Sequence, residues 1–131
     1  MKNINDLLQY SLPLLSEVPK PMFLDDVLIQ SCNDYGAAVR LCLDKRLRRI
    51  SESEIAACLG FKPPHLTKVK NGQGYLTSDQ EVILQYLCSN WSIRQYCESR
   101  ERMMAEITES PAEKIVRLER EIQSLKGRRA A

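Results

Sequence analysis

The chain predicts an all-α fold, and three observations carry that expectation. Apolar residues recur at spacings of three and four along most of its 131 residues, which is the period of a helix face rather than of a strand. Residues that cap helices, Ser51 and Ser78 among them, stand directly before such runs. Glycine and proline fall where helices end and begin, as at Gly60 and Pro63.

Taken in order, Asn3 or Asn5 caps a first helix carrying Leu7, Leu8 and Leu12, interrupted by Pro13. Pro19-Lys20-Pro21 reads as a linker or sharp turn. From Met22 onward, Leu24, Val27, Leu28 and Cys32 have helical spacing, with Asp25 and Asp26 placed favourably for the helix dipole. Residues 1–36 thus form an N-terminal helical extension, expected to pack across the core, with a partner-binding role for its leucines as the alternative. Asp34-Tyr35-Gly36 marks a break. A helix from Ala37 to Arg48 follows, its stripe of Val39, Leu43 and Leu47 turned inward and Arg40, Lys45, Arg46, Arg48 and Arg49 outward.

The stretch from Ile50 to Gly72 organises the rest. Ser51 caps a helix whose apolar side is Ile55, Ala56 and Leu59, and Gly60 supplies the positive-φ residue that ends it. Pro63-Pro64 opens a second helix, since the first-turn N–H groups have no intrahelical acceptor to lose. Leu66 and Val69 form its apolar side, and Asn71-Gly72 closes it. Two short helices joined by a glycine turn make a helix-turn-helix layout, with small Ala56 allowing a close crossing.

Gln73 to Leu76 is a loop leading to a capping box, Ser78-x-x-Glu81. The helix after it carries Val82, Ile83, Leu84, Tyr86, Leu87 and Cys88, apolar on most sides and so buried, until Ser89-Asn90 breaks it. This completes a domain over residues 37–90. A further helix runs from Trp91, a core anchor, to about Thr108, with Ile93, Tyr96, Cys97, Met103, Met104 and Ile107 as its stripe. Ser110-Pro111 starts a last one, Ala112 to Lys126, ended by Gly127. There Ile115, Leu118, Ile122 and Leu125 step by 3, 4 and 3, as in a coiled-coil seam. Residues 91–131 are therefore assigned to dimerisation, the alternative being a helix folded back on its own domain.

The motif Ser51-x-x-Glu54-Ile55-Ala56-x-x-Leu59-Gly60, followed by Leu66-x-x-Val69-x-Asn71-Gly72 at a spacing that fits the family without a gap, resembles the lambda-repressor-like (Cro-type, XRE) family of phage and bacterial regulators. The resemblance covers roughly residues 38–87. It implies a protein that reads double-stranded DNA with its second motif helix in the major groove. By position, Pro63, Pro64, Thr67 and Lys68 would face base edges, Lys62 a phosphate and Asn71 the backbone, with His65, Lys70, Arg48 and Arg49 adding contacts. The chain departs from the family in placing prolines at two reading positions, where only apolar contact is on offer. Readout then falls on Lys68, with help from Thr67 and His65, and a dimer reading two half-sites becomes more necessary.

Charge supports the same region. Residues 37–75 hold eight basic against three acidic side chains, whereas residues 1–36 hold two against five. A basic patch on a reading helix is rewarded by counterion release from phosphates. Cys32, Cys42, Cys58, Cys88 and Cys97 include no C-x-x-C pair, and His65 is the sole histidine, so buried thiols are expected rather than a metal site. No run reaches the about 18–20 apolar residues that span a membrane, and no signal pattern opens the chain, which gives a cytoplasmic expectation. No nucleophile motif, paired carboxylates or glycine-rich phosphate loop points to an enzyme or a cofactor. The expected function is a phage-type transcriptional repressor binding a palindromic operator as a homodimer. The rivals are a dimeric helix-turn-helix scaffold that inhibits a host protein, and an activator that contacts RNA polymerase.

Overall fold

Capping side chains decide where most of the helices begin. The computed structural model describes residues 3–130, with side chains from 3 to 127, and it is all-α: α1 (Ile4–Leu15), α2 (Asp26–Gln30), α3 (Tyr35–Asp44), α4 (Glu52–Cys58), α5 (Pro63–Lys70), α6 (Ser78–Cys88), α7 (Ser92–Thr108) and α8 (Pro111–Ala130). The described residues contain no strand, only an isolated bridge between Met22 and Asn90. Asn3 and Asp6 form a capping box on α1, Asp25 accepts from the Val27 amide, and Ser51 Oγ accepts from the Glu54 amide at 3.1 Å. Each acceptor satisfies a donor that the first turn leaves without an intrahelical partner.

The chain divides into two units, one ending at Cys97 and the other starting at Glu98. In the first, α1 packs on α6 and α4, while α5 packs on α3 and α4. Their shared core contains Leu7, Val39, Leu43, Ile50, Ile55, Ala56, Leu59, Leu66, Val69, Ile83, Leu84, Leu87 and Ile93. Burial of such side chains is worth about 1.5–3 kcal/mol each, which is what holds helices of five to twelve residues that would not persist alone.

Several boundaries differ from the sequence expectation. Asp34 is a cap and not a break: its Oδ1 accepts from the Ala37 amide at 2.8 Å, and α3 starts at Tyr35 with Gly36 inside it. Gly36 is needed there for close approach, since a Cβ would stand 2.8 Å from the Lys70 carbonyl oxygen. At its other end α3 stops at Asp44, so Leu47 is 54% exposed and Ile50 takes the place in the core. The capping box on α6 is Thr77 with Gln80, not Ser78 with Glu81. Gln80 is fixed at that position because its Nε2 also donates to the Leu59 carbonyl at 2.9 Å, tying α6 to the end of α4. Helix α1 continues through Pro13, near its C-terminal end, where the carbonyl deprived of a donor belongs to exposed Gln9. Of its leucines, Leu7 is buried and Leu12 is exposed. Val82 and Tyr86 of α6 are also exposed, and Trp91 is half-buried, edge-on to Tyr86 with the Arg94 guanidinium 5.4 Å from its ring centre.

A buried polar knot closes the first unit. Ser89 adopts φ of 58° and ends α6, its hydroxyl donating to the Pro19 carbonyl at 2.7 Å. Asn90 Nδ2 donates to the carbonyls of Cys42 and Cys88, and its Oδ1 accepts from the Ser92 amide. Ser92 Oγ in turn donates to the Ala38 carbonyl at 2.8 Å. Gln95 takes both backbone groups of Leu24, at 2.9 Å each.

The second unit is built differently. Ser110 Oγ accepts from the Glu113 amide and Pro111 opens α8. Arg117 forks onto Glu109, with bonds of 2.8–3.1 Å, and pairs with Glu121 at 3.1 Å, which holds the Glu109 carboxyl below its usual range. Gly127 does not end α8, which runs to Ala130. Unlike Gly60 and Gly72, it has no positive φ, and glycine inside a helix costs only about 1 kcal/mol. Met103, Met104 and Ile107 are exposed, although their spacing suggested a buried stripe.

Candidate nucleic-acid interface

Helix α5 is anchored on one side only. Leu66 and Val69 are buried against α3 and α4, which leaves the opposite side of the helix to solvent. That side is Pro64, Thr67, Lys68 and Asn71, all exposed, at positions i, i+3, i+4 and i+7 of one helical stripe. The turn before it is set by Gly60, with φ of 81°, and Gly72, with φ of 79°, closes the far end. The buried Ile55 and Ala56 of α4 stand in the core with Leu66 and Val69, so the pair of helices is fixed by core packing.

The start of α5 has an unusual chemistry. Lys62 is its N-cap and contributes no side-chain cap bond. Pro63 and Pro64 carry no N–H, and the His65 amide is donated to the Lys62 carbonyl at 3.0 Å. A helix start normally binds anions through several such amides. Here the first turn offers no cradle of amides, and positive charge must come from the Lys62 and Lys68 side chains, both exposed. His65 is exposed as well, its ring stacked on Phe61 at 4.6 Å between centroids and 17° between planes.

The other expected contact residues are distributed less evenly. Lys70 is half-buried and its Nζ lies 2.7 Å from Glu52 Oε1, an ion pair that joins α5 to α4. The Lys70 carbonyl accepts from the Arg40 guanidinium, which thereby neutralises the negative end of the α5 dipole. Arg48 pairs with Glu17, just past the end of α1, so it is drawn toward an element that packs on α4 and α6. Arg49 is exposed in the loop between α3 and α4. The structure therefore leaves Lys62, Pro64, His65, Thr67, Lys68 and Asn71 exposed on α5 and at its two caps, and pairs Lys70 and Arg48 with carboxylates. Arg40 and Glu52 were counted in the charge of this region, but their bonds to Lys70 were not foreseen. Nothing in the sequence marks them, because their partners lie 30 and 18 residues away.

The loop after α5 is supported from α3. Tyr35 packs against Tyr75, with ring centres 5.0 Å apart and planes tilted by 46°, and its hydroxyl oxygen accepts from the Leu76 amide at 3.4 Å. Burial, with the Glu81 carboxylate beside it, pushes the Tyr35 phenol well above its ordinary range. Burial likewise raises Glu81, partly offset by its hydrogen bond with Tyr35. Among the described residues no cluster of His, Cys, Asp or Glu could hold a metal ion, and no helix is long and apolar enough to cross a membrane. Ile115, Leu118, Ile122 and Leu125 all lie on the solvent-exposed surface of α8. Comparison with protein-family models, with curated proteins and with solved structures gave no match.

Proposed function

We propose that the chain is a sequence-reading DNA-binding regulator of the lambda-repressor-like helix-turn-helix type, with α4 and α5 as the two motif helices. The observation that carries this reading is the exposed stripe Pro64, Thr67, Lys68 and Asn71, on a helix whose other side is locked by Leu66 and Val69. A rigid helix presenting short polar and cationic side chains is what the major groove accepts. Lys68 donates to guanine O6 or N7, Thr67 assists, and Pro64 meets a thymine methyl. Lys62, Arg49 and Asn71 take phosphates, with His65 at the edge of the groove. Lys70 contributes by holding α5 in place through Glu52, and Arg48 enters only if it leaves Glu17.

With so few direct readers per protomer, specificity comes from a homodimer on a palindromic operator. Repression follows from excluding polymerase from that DNA, as in a phage-type repressor. The experiment is selection of the purified protein on a random duplex library at two salt concentrations. Enrichment of a palindrome with half-sites about one helical turn apart is expected. Weak binding that enriches no sequence and disappears as salt rises would sink the reading and leave only non-specific attraction.

A second reading has its own observation. Met22, Phe23 and Val27 are exposed beside Asp25 and Asp26, an apolar and acidic surface suited to a protein partner, either a host factor to be inhibited or polymerase itself. Charge reversal at Lys62 and Lys68 separates the two, since the protein-binding scaffold would be indifferent to it.

A further inference from the structure

We propose that α8 pairs with the α8 of a second copy as a parallel, in-register, two-stranded coiled coil. The proposal rests on the homodimer in the reading above but not on its DNA. Ile115, Leu118, Ile122 and Leu125 are 58, 41, 51 and 56% exposed, and they form one seam along a helix whose side chains from Ala112 to Gly127 are otherwise exposed apart from Arg117. Apolar residues at a coiled-coil spacing with nothing over them call for a cover. The sequence around the seam states which cover fits.

Isoleucine occupies both a positions, 115 and 122, and leucine both d positions, 118 and 125. β-Branched residues at a with leucine at d favour two parallel strands over higher oligomers. The flanking positions then decide direction. Position g holds Lys114 and Glu121, and position e holds Glu119 and Lys126. In a parallel in-register pair each g residue meets the e residue five positions further along the partner helix. Lys114 then faces Glu119, and Glu121 faces Lys126, each pairing occurring twice by symmetry. In the antiparallel alternative, with Ile115 opposite Leu125, the g and e residues meet their own kind about the dyad. Glu121 would face Glu121 and Glu119 would face Glu119. One arrangement has opposite charges throughout; the other stacks four carboxylates near its centre.

The helix is also prepared for this. Arg117, at position c, holds Glu121 at 3.1 Å on its own helix while Glu109 fixes Arg117 from the preceding turn, so the flank is ordered before a partner arrives. With only two heptads, the pairing is weak, and the charges weigh heavily in it.

Two experiments on the full chain test this without DNA. The first compares charge variants by sedimentation. Lys114→Glu with Lys126→Glu makes all four flanking positions acidic, and Glu119→Lys with Glu121→Lys makes them all basic. Each double variant alone is expected to dimerise at least roughly tenfold more weakly than the parent chain. Mixed together, they should restore the dimer. The second is Leu125→Cys under mild oxidation. In a parallel pair the two thiols meet across the seam and give a covalent dimer absent from the parent chain. In an antiparallel pair they are about 15 Å apart along the axis, and Leu125→Cys would be trapped instead with Ile115→Cys on another chain. That cross-pairing, a monomeric parent chain, or charge variants that dimerise as well alone as mixed would each overturn the proposal. A protein that passes both tests and enriches no duplex would refute the DNA reading alone. One that selects a palindrome but fails both would refute this pairing alone.

Discussion

At Asn90 a single buried amide joins three backbone groups from separate segments, the Cys42 and Cys88 carbonyls and the Ser92 amide. An apolar replacement leaves them unpaired where water cannot reach, so Asn90→Ala should lower unfolding free energy by about 2–3 kcal/mol, measured by urea titration. Gly36→Ala is expected to cost about 1–3 kcal/mol for a steric reason: its Cβ would press on the backbone at the end of α5, not on a side chain able to turn away. Glu81 has a pH signature. Its carboxyl is raised in the folded protein, chiefly by burial, so the ionised form is the one the fold disfavours. The associated stability is fully present below the unfolded-state pKa of about 4.3 and is lost as pH rises through the higher folded value. Glu81→Gln should therefore raise the melting temperature at pH 7 and leave it unchanged below about pH 4.

Among the elements, α4 and α5 were the most legible in the sequence, because their limits are set by local chemistry: Ser51, Gly60, Pro63 and Gly72 act on their own turns. The limits that could not be read depend on distant atoms. Gln80 caps α6 because Leu59 offers it a carbonyl, and Gly36 lies within α3 because α5 ends against it. The candidate interface divides the same way. Its outward stripe follows from helical spacing once Leu66 and Val69 are recognised as buried, whereas Lys70 and Arg48 were assigned to a ligand and are held by carboxylates of the chain itself. For the DNA-binding proposal the informative substitution on α5 is Lys68→Ala, which on that reading should relax preference at one base position by about 1–3 kcal/mol while leaving the others. A uniform loss over all sequences, with the salt slope lower by about one unit, would make Lys68 a phosphate contact.

Across the whole molecule, the buried apolar core lies in the first unit, whereas the second keeps its large apolar side chains on the surface. The sequence pattern was similar in both, a helical stripe of apolar residues at spacings of three and four, and could not say which stripe finds a cover within the chain. The buried thiols carry a consequence of a different kind. Cys32, Cys42, Cys58 and Cys88 are buried, spread from the end of α2 to the end of α6, and only Cys97 is partly accessible. Burial also pushes the Cys42 and Cys58 thiols up, which slows any reagent that needs the thiolate. The native protein thus contains its own clock for large-scale opening. An Ellman-type reagent should modify one sulfur promptly, then the other four together at a rate that tracks how often the unit comes apart. Asn90→Ala should quicken that slow phase by roughly 30-fold or more, the factor matching about 2 kcal/mol, whereas loss of α8 pairing should leave it unaltered.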